Sequence, residues 1–258
     1  MWLMICSAQD TPALWAYQGL RARGLNPIEL VTAEVLATKA KWEHTVGIDG
    51  ANFNITLPDG RIINNRYVKG AVNRLTHVPL DHLAGAPDFD YATQEYTALF
   101  MSWLQSLPSP LFNAPQSQGL SGAWRHVSEW VWLAAQAGLP TPPYRQSSHD
   151  EIDETAEMRR IVPQSTPTAM AITLGDTLGD RVFGPTLPPR ISAACKELAR
   201  IAETPLLGIE LTVGPPHAQW TFAGATPIPD LRLGGEALLD ELARKLYQSQ
   251  TLNQRRPN

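Results

Sequence analysis

Few side chains in this sequence stand where they could do chemistry, and Glu210 is the most telling of them. It is the single acid in the apolar run LLGIELTV, residues 206–213, which predicts a buried strand. A carboxylate held there has two outlets. It can help ligate a cation, or it can pair with a guanidinium such as Arg232 or Arg74. Alone it makes a poor Mg²⁺ site, because that ion demands a near-octahedral shell of oxygens. The next run, WTFAGATPIPDLRLGG at residues 220–235, reads as the end of a second strand, a proline-stiffened turn and a helix start. Asp230 there suits a helix cap.

Four further polar positions qualify. Asn73 and Arg74 end the strand-like run YVKGAVNRL, and open α/β sheets bind ligands at the C-terminal ends of their strands. Asn113 follows a short strand, Leu111-Phe112. Arg125 falls in the first turn of a predicted helix over residues 122–138, where a cation is mildly unfavourable unless a carboxylate faces it. With Arg232 these are the candidate cleft residues: Asn73, Arg74, Asn113, Arg125 and Arg232. Glu210 is the metal candidate. The acidic stretch 147–157 reads as an exposed linker, and His149-Asp150 within it has no partner at metal-ligand spacing.

Common catalytic signatures are missing. There is no GxSxG, CxxC, HExxH, EF-hand loop, P-loop or GxGxxG. Two cysteines, Cys6 and Cys195, lie far apart in apolar surroundings and read as buried thiols of a cytoplasmic protein. A net charge of -4 offers no basic face for nucleic acid. The opening MWLMICSAQD is too short for a membrane span and is expected to be a first strand.

The elements that must position these residues follow from pattern. After the first strand, Asp10 and Pro12 open a helix that Gly24 stops, and residues 27–31 form a second strand. Such an order implies a parallel pair. Pro58-Asp59-Gly60 is a hairpin turn between residues 52–57 and 61–63. Residues 88–107 give the strongest helix, with an aromatic stripe of core type. Strands at 169–174 and 181–183, a helix at 191–202, strands at 206–213 and 219–223, and a last helix at 234–247 complete the chain.

Taken together, the Asn73-Arg74 strand end, "LFNAP" before a helix, the helix ending "AAQAGLPTPPY", the strand "LLGIEL" and the strand-turn "WTFAGATPIPDL" resemble the ATP-grasp superfamily. The similarity is to its peptide- and ribosomal-protein-modifying ligases, including maturases of ribosomally made peptides. That resemblance implies a Rossmann-like pre-ATP-grasp sheet over residues 1–118 and a reduced ATP-grasp-like α+β lobe over 119–258. It also implies an acylphosphate ligase using ATP and Mg²⁺. Three departures oppose that chemistry. Only about sixty residues separate Tyr144 from Leu206, roughly half of what a compact nucleotide lobe needs. No lysine lies between Lys69 and Lys196 to cradle phosphates, which leaves arginines such as Arg159, Arg160 and Arg181. The family's Glu-x-Asn pair on the last strand falls here on Phe222-Ala223-Gly224-Ala225-Thr226, without a carboxylate or amide.

The expected function is therefore that of a non-catalytic or accessory binding protein of ATP-grasp descent. Its partner would be a peptide, a small carboxylate or a partner enzyme. The alternative is a divergent ATP-dependent carboxylate–amine ligase with ATP and Mg²⁺ as cofactors. A homodimer built on the Trp-rich helices at 88–107 and 122–138 is a further expectation.

Overall fold

A computed structural model describes residues 1–48, 50–144, 169–175, 180–214 and 219–253. The chain divides into two compact units, residues 1–124 with 230–258 and residues 125–229.

The first unit opens with β1 (Trp2–Cys6), α1 (Thr11–Ala22), β2 (Ile28–Thr32) and α2 (Ala33–Thr38). Asp10 caps α1 by accepting from the Ala13 N–H at 3.0 Å, and Pro12 fills the first turn, where no N–H is needed. Gly24 takes a φ of 87°, so the chain can leave the helix. Next come β3 (Lys41–Gly47), β4 (Gly50–Thr56), β5 (Ile62–Asn64), β6 (Gly70–Asn73), α3 (Phe89–Gln105) and β7 (Leu111–Phe112). Strands β2-β1-β6-β7 form an all-parallel sheet, and β3-β4-β5 form a separate antiparallel one. The aromatic stripe of α3 is core: Phe100, Trp103 and Leu104 are fully buried among Leu3, Ile5, Phe53 and Ile55.

Several expectations change here. β3 was not among the expected strands. β6 is shorter than the run 67–75, because Asn65–Tyr67 forms a 3-10 turn capped by Asn64. Asp88 occupies the N-cap position of α3 without a side-chain cap bond.

The second unit contains α4 (Val127–Gln136), β8 (Ala169–Leu174), β9 (Arg181–Phe183), α5 (Pro189–Ile201), β10 (Leu206–Gly214) and β11 (Gln219–Thr226). Its sheet runs β11-β10-β8-β9, antiparallel throughout. Leu207, Ile209 and Leu211 project from β10 into a core with Ala194, Cys195 and Leu198 of α5 and with Trp130 and Val131 of α4. The helix expected from residue 122 starts only at Val127. Gly122 takes a φ of 91° and bridges to Pro115, and His126 caps the helix. Trp124 and Val127 are exposed.

The last helix, α6 (Gly235–Asn253), belongs to the first unit. Its Leu238, Leu239, Leu242 and Leu246 are buried, and the Trp2 indole donates to the Leu246 carbonyl at 3.4 Å. Gly19 of α1 leaves room for the Leu239 side chain, which a methyl group there would meet at 2.3 Å. Contact therefore groups α6 with the N-terminal unit.

Candidate functional site

Asn73, Arg74 and Asn113 meet at the C-terminal edge of the parallel sheet, as strand geometry predicts. Asn73 is the last residue of β6 and is wholly buried. Its amide donates to the Asn113 carbonyl at 2.8 Å and the Leu120 carbonyl at 2.6 Å, and its oxygen accepts from the Leu75 N–H at 3.2 Å. Ser121 donates to the Leu75 carbonyl at 2.7 Å. Asn113 holds a φ of 57°, a left-handed conformation that Asn tolerates better than most residues. Asn73 thus ties three chain segments together, and its polar atoms are spent on backbone.

Arg74 is equally committed. Its Nε donates to Asp10 Oδ2 at 2.7 Å and its Nη2 to Asp10 Oδ1 at 3.1 Å, with only 2% of the side chain exposed. Arg232 lies in a 3-10 turn over Leu231–Gly234, capped by Asp230. Its Nε and Nη2 grip the Asp230 carboxylate at 2.8 and 2.6 Å. Arg232 holds the Asp230 carboxyl below the usual carboxylate range, with a smaller contribution from Arg74. Both arginines therefore face carboxylates of this chain, and a small anionic ligand would have to displace them. Each of the two guanidiniums suggested by the sequence as partners of Glu210 is engaged by an aspartate. Cys6, beside this edge, has its thiol pushed up to about 12, by burial first and then by Asp10, so it is no nucleophile.

Arg125 is not in this group. It precedes α4 and binds the Glu129 carboxylate, while its Nη2 donates to the Ala202 carbonyl at 3.1 Å. The guanidinium also lies 5.7 Å from the centre of the Trp130 ring. The opposing carboxylate that a cation near this helix start requires is thus Glu129, and Arg125 joins the start of α4 to the end of α5. The sequence reading missed Asp10 as the partner of Arg74, since their separation of 64 residues leaves no local signal.

Glu210 lies on the face of β10 opposite the core. Its lateral neighbours in register are Met170 on β8 and Gly224 on β11. A bulge after Glu210 leaves Ala223 as an extra residue between Phe222 and Gly224. The carboxylate rests over the Gly224 backbone, where a Cβ would lie 2.8 Å from Oε2. Gly208, two residues earlier, admits the Pro229 ring and the Thr226 methyl, which a Cβ would meet at 2.7 and 3.1 Å. Along the same two strands, Thr212 donates to the Thr221 carbonyl at 3.4 Å, and Thr226 accepts from the Ile228 N–H at 3.2 Å. Among the described residues, no cluster of three or more His, Cys, Asp or Glu can hold a metal ion. Among the described residues, one carboxylate beside alanine, glycine and methionine does not supply the oxygen shell that Mg²⁺ requires. Elsewhere in this unit, a cavity of about 360 Å³ is lined by Gly175, Asp180, Ala199, Arg200, Glu203 and Thr204. Its one arginine is held by Glu197 at 2.6 and 2.7 Å. His149, Arg159 and Arg160 lie outside the described residues.

No family model and no curated protein matches the chain. Solved structures do. The macrocyclase MdnC from Microcystis aeruginosa MRC, bound with precursor peptide MdnA, aligns with a TM-score of 0.70 at 15% identity, over 96% of this chain and 100% of that one. The ATP-grasp ligase PsnB complexed with minimal precursor gives 0.66 at 12% identity, over 96% and 98%. A Chryseobacterium gregarium RiPP-associated ATP-grasp ligase, in complex with ADP and a leader and core peptide, gives 0.63 at 11% identity, over 100% and 97%. No helix among the described residues is long and apolar enough to cross a membrane. With its parallel N-terminal sheet, its antiparallel second sheet and this breadth of alignment, the chain has the ATP-grasp fold of the peptide-modifying ligases.

Proposed function

We propose that this protein is a peptide-binding member of the ATP-grasp fold that does not carry out ATP-dependent ligation. One observation carries the reading: among the described residues no group of three or more His, Cys, Asp or Glu gathers to hold a metal ion at Glu210, and β11 passes it as Ala223-Gly224-Ala225. An acylphosphate ligase must neutralise a triphosphate and its developing charge, which takes metal ligands and cations arranged in advance. Arg74, Arg125 and Arg232 are bound to carboxylates of their own chain, so they do not substitute for phosphate-binding lysines.

Peptide binding rests on the solved neighbours, several of which were crystallised with precursor peptides. A protein that loses the nucleotide site but keeps the scaffold can still present a substrate to a partner enzyme. The test has two arms. Selection from a displayed random peptide library should yield binders with a common pattern, confirmed by fluorescence anisotropy. Addition of Mg²⁺ and ATP should leave both the peptide affinity and the thermal midpoint unchanged. Nucleotide-dependent modification of a bound peptide would refute the reading and favour the divergent ligase.

A further inference from the structure

The cavity beside α5 opens where the ladder between β8 and β10 ends. The last strand pair, Leu174 with Leu206, is extended by one bond, from the Gly175 N–H to the Pro205 carbonyl at 2.8 Å. Beyond it the side chains are small. Gly175, Ala199 and Pro205 border a space of about 360 Å³. Small-molecule sites run from about 300 to 1,000 Å³, so this one suits a ligand of metabolite size. Glu210 projects from the face of β10 that α5 does not cover, so the cavity is separate from the metal candidate.

Three charged side chains line the space: Asp180, Arg200 and Glu203. Asp180 is seated against the floor, since a Cβ on Gly175 would lie 2.3 Å from its Oδ1. Glycine at this position thus makes room for the carboxylate. Glu203 follows the C-terminal end of α5 and holds a φ of 52°. An acid there meets the negative end of the helix dipole and is unfavourable unless a cation faces it. Neither Asp180 nor Glu203 forms an ion pair among the described residues, although Asp180 lies within electrostatic reach of Arg200. Arg200 gives its Nε and Nη2 to Glu197 at 2.7 and 2.6 Å, which leaves the two N–H groups of Nη1. That pair is exposed, 65% for Arg200 and 42% for Glu197, so it contributes little and yields readily to a competing carboxylate. Thr204 closes the inner wall. It is 2% exposed, and its N–H and hydroxyl donate to the Ala199 and Ala202 carbonyls, both at 3.0 Å. Selection among ligands therefore falls to the three charges.

Two carboxylates and one guanidinium around an apolar floor call for two cationic groups and one anionic group on an apolar stem. We propose that this cavity binds a free α-amino acid with an amine-bearing side chain, of the lysine class. The ligand carboxylate takes the Nη1 donors of Arg200, and its α-ammonium faces Asp180 beside that arginine. The methylene stem crosses Ala199 and Pro205, and the side-chain ammonium meets Glu203. The lining carries one net negative charge and the ligand one net positive charge. A dicarboxylate would set like charge against Asp180 or Glu203. A bare divalent cation would find no cluster of three ligands among the described residues.

Isothermal calorimetry of the full chain with three probes tests the assignment. L-Lysine should bind saturably. L-Norleucine, which lacks only the side-chain ammonium, and cadaverine, which lacks only the carboxylate, should each bind about tenfold more weakly. Glu203→Gln should abolish the preference for lysine over norleucine, with norleucine affinity unchanged. Arg200→Met should abolish the preference for lysine over cadaverine. Both positions are exposed, so the unliganded variants should unfold at the native midpoint. Should either variant lose that midpoint, the probe series on the native chain decides alone. No saturable heat with L-lysine, equal affinity for the three probes, or undiminished preference in both folded variants would overturn the proposal.

Discussion

Removing the carboxylate of Asp10 should unbalance a buried ion pair of the first unit. Asp10 accepts three hydrogen bonds, two from Arg74 at 2.7 and 3.1 Å and one from the Ala13 N–H at 3.0 Å. Asp10→Asn keeps a capping oxygen for Ala13 but strips the counter-charge from a guanidinium only 2% exposed. Breaking a buried pair from one side costs about 3–5 kcal/mol. Asp230 supplies a second negative charge close enough to interact with Arg74, which places the expected loss at the lower end, about 3 kcal/mol. Asp10→Ala should cost about 1 kcal/mol more, through the lost cap. Arg74→Met removes the stranded charge, so the double variant Asp10→Asn/Arg74→Met should be more stable than the sum of the singles predicts, by about 1.5 kcal/mol. Urea unfolding followed by far-ultraviolet circular dichroism and tryptophan fluorescence reads these differences, and the two units call for two fitted transitions. Additive singles, or a loss below about 1 kcal/mol for Asp10→Asn, would refute the view that Arg74 is a structural residue neutralised in place.

Two further outcomes follow from the same geometry. Glu210→Gln should change stability by no more than about 0.5 kcal/mol, because the carboxylate has no ion-pair partner among the described residues. A larger loss in urea titration would mean that Glu210 holds a cation or a guanidinium after all. Cys6 and Cys195 both have thiols pushed up to about 12 by burial, whereas an unfolded thiol ionises near 8.5. The unfolded chain then releases its protons first, so their contribution is intact below about pH 8.5 and declines as the pH rises toward 12. The alkaline loss of stability should shrink in a Cys6→Ala/Cys195→Ala variant, and an unchanged pH slope would contradict the assignment.

Much of this molecule was legible because local signals agreed with global ones. Asp10, Pro12 and the apolar spacing of α1 marked the opening strand–helix–strand unit, and the aromatic stripe of α3 turned out to be core. β3 escaped notice because its period of two is carried by Trp42, His44 and Val46, and a histidine interrupts the apolar half of the pattern. The late start of α4 was hidden by an apolar, Trp-bearing stretch, where the left-handed Gly122 and its bridge to Pro115 overrule propensity. Of the candidate residues, Asn73, Arg74 and Asn113 lie at one edge of the parallel sheet. Their role was not legible, since it depends on Asp10, Leu120 and Ser121, which only tertiary folding brings near. Glu210 was the reverse case. Its isolation could be read from Ala223-Gly224-Ala225, and the structure adds that Gly224 lies directly under the carboxylate.

The central claim is that the ATP-grasp scaffold remains while its nucleotide chemistry does not. Isothermal calorimetry of the full chain with Mg²⁺ and ATP, paired with a thermal-unfolding titration, addresses it most directly. The account predicts no binding heat and no shift of the unfolding midpoint. A saturable heat, with about 2.7 kcal/mol of added stability at a hundredfold excess over the dissociation constant, would contradict it.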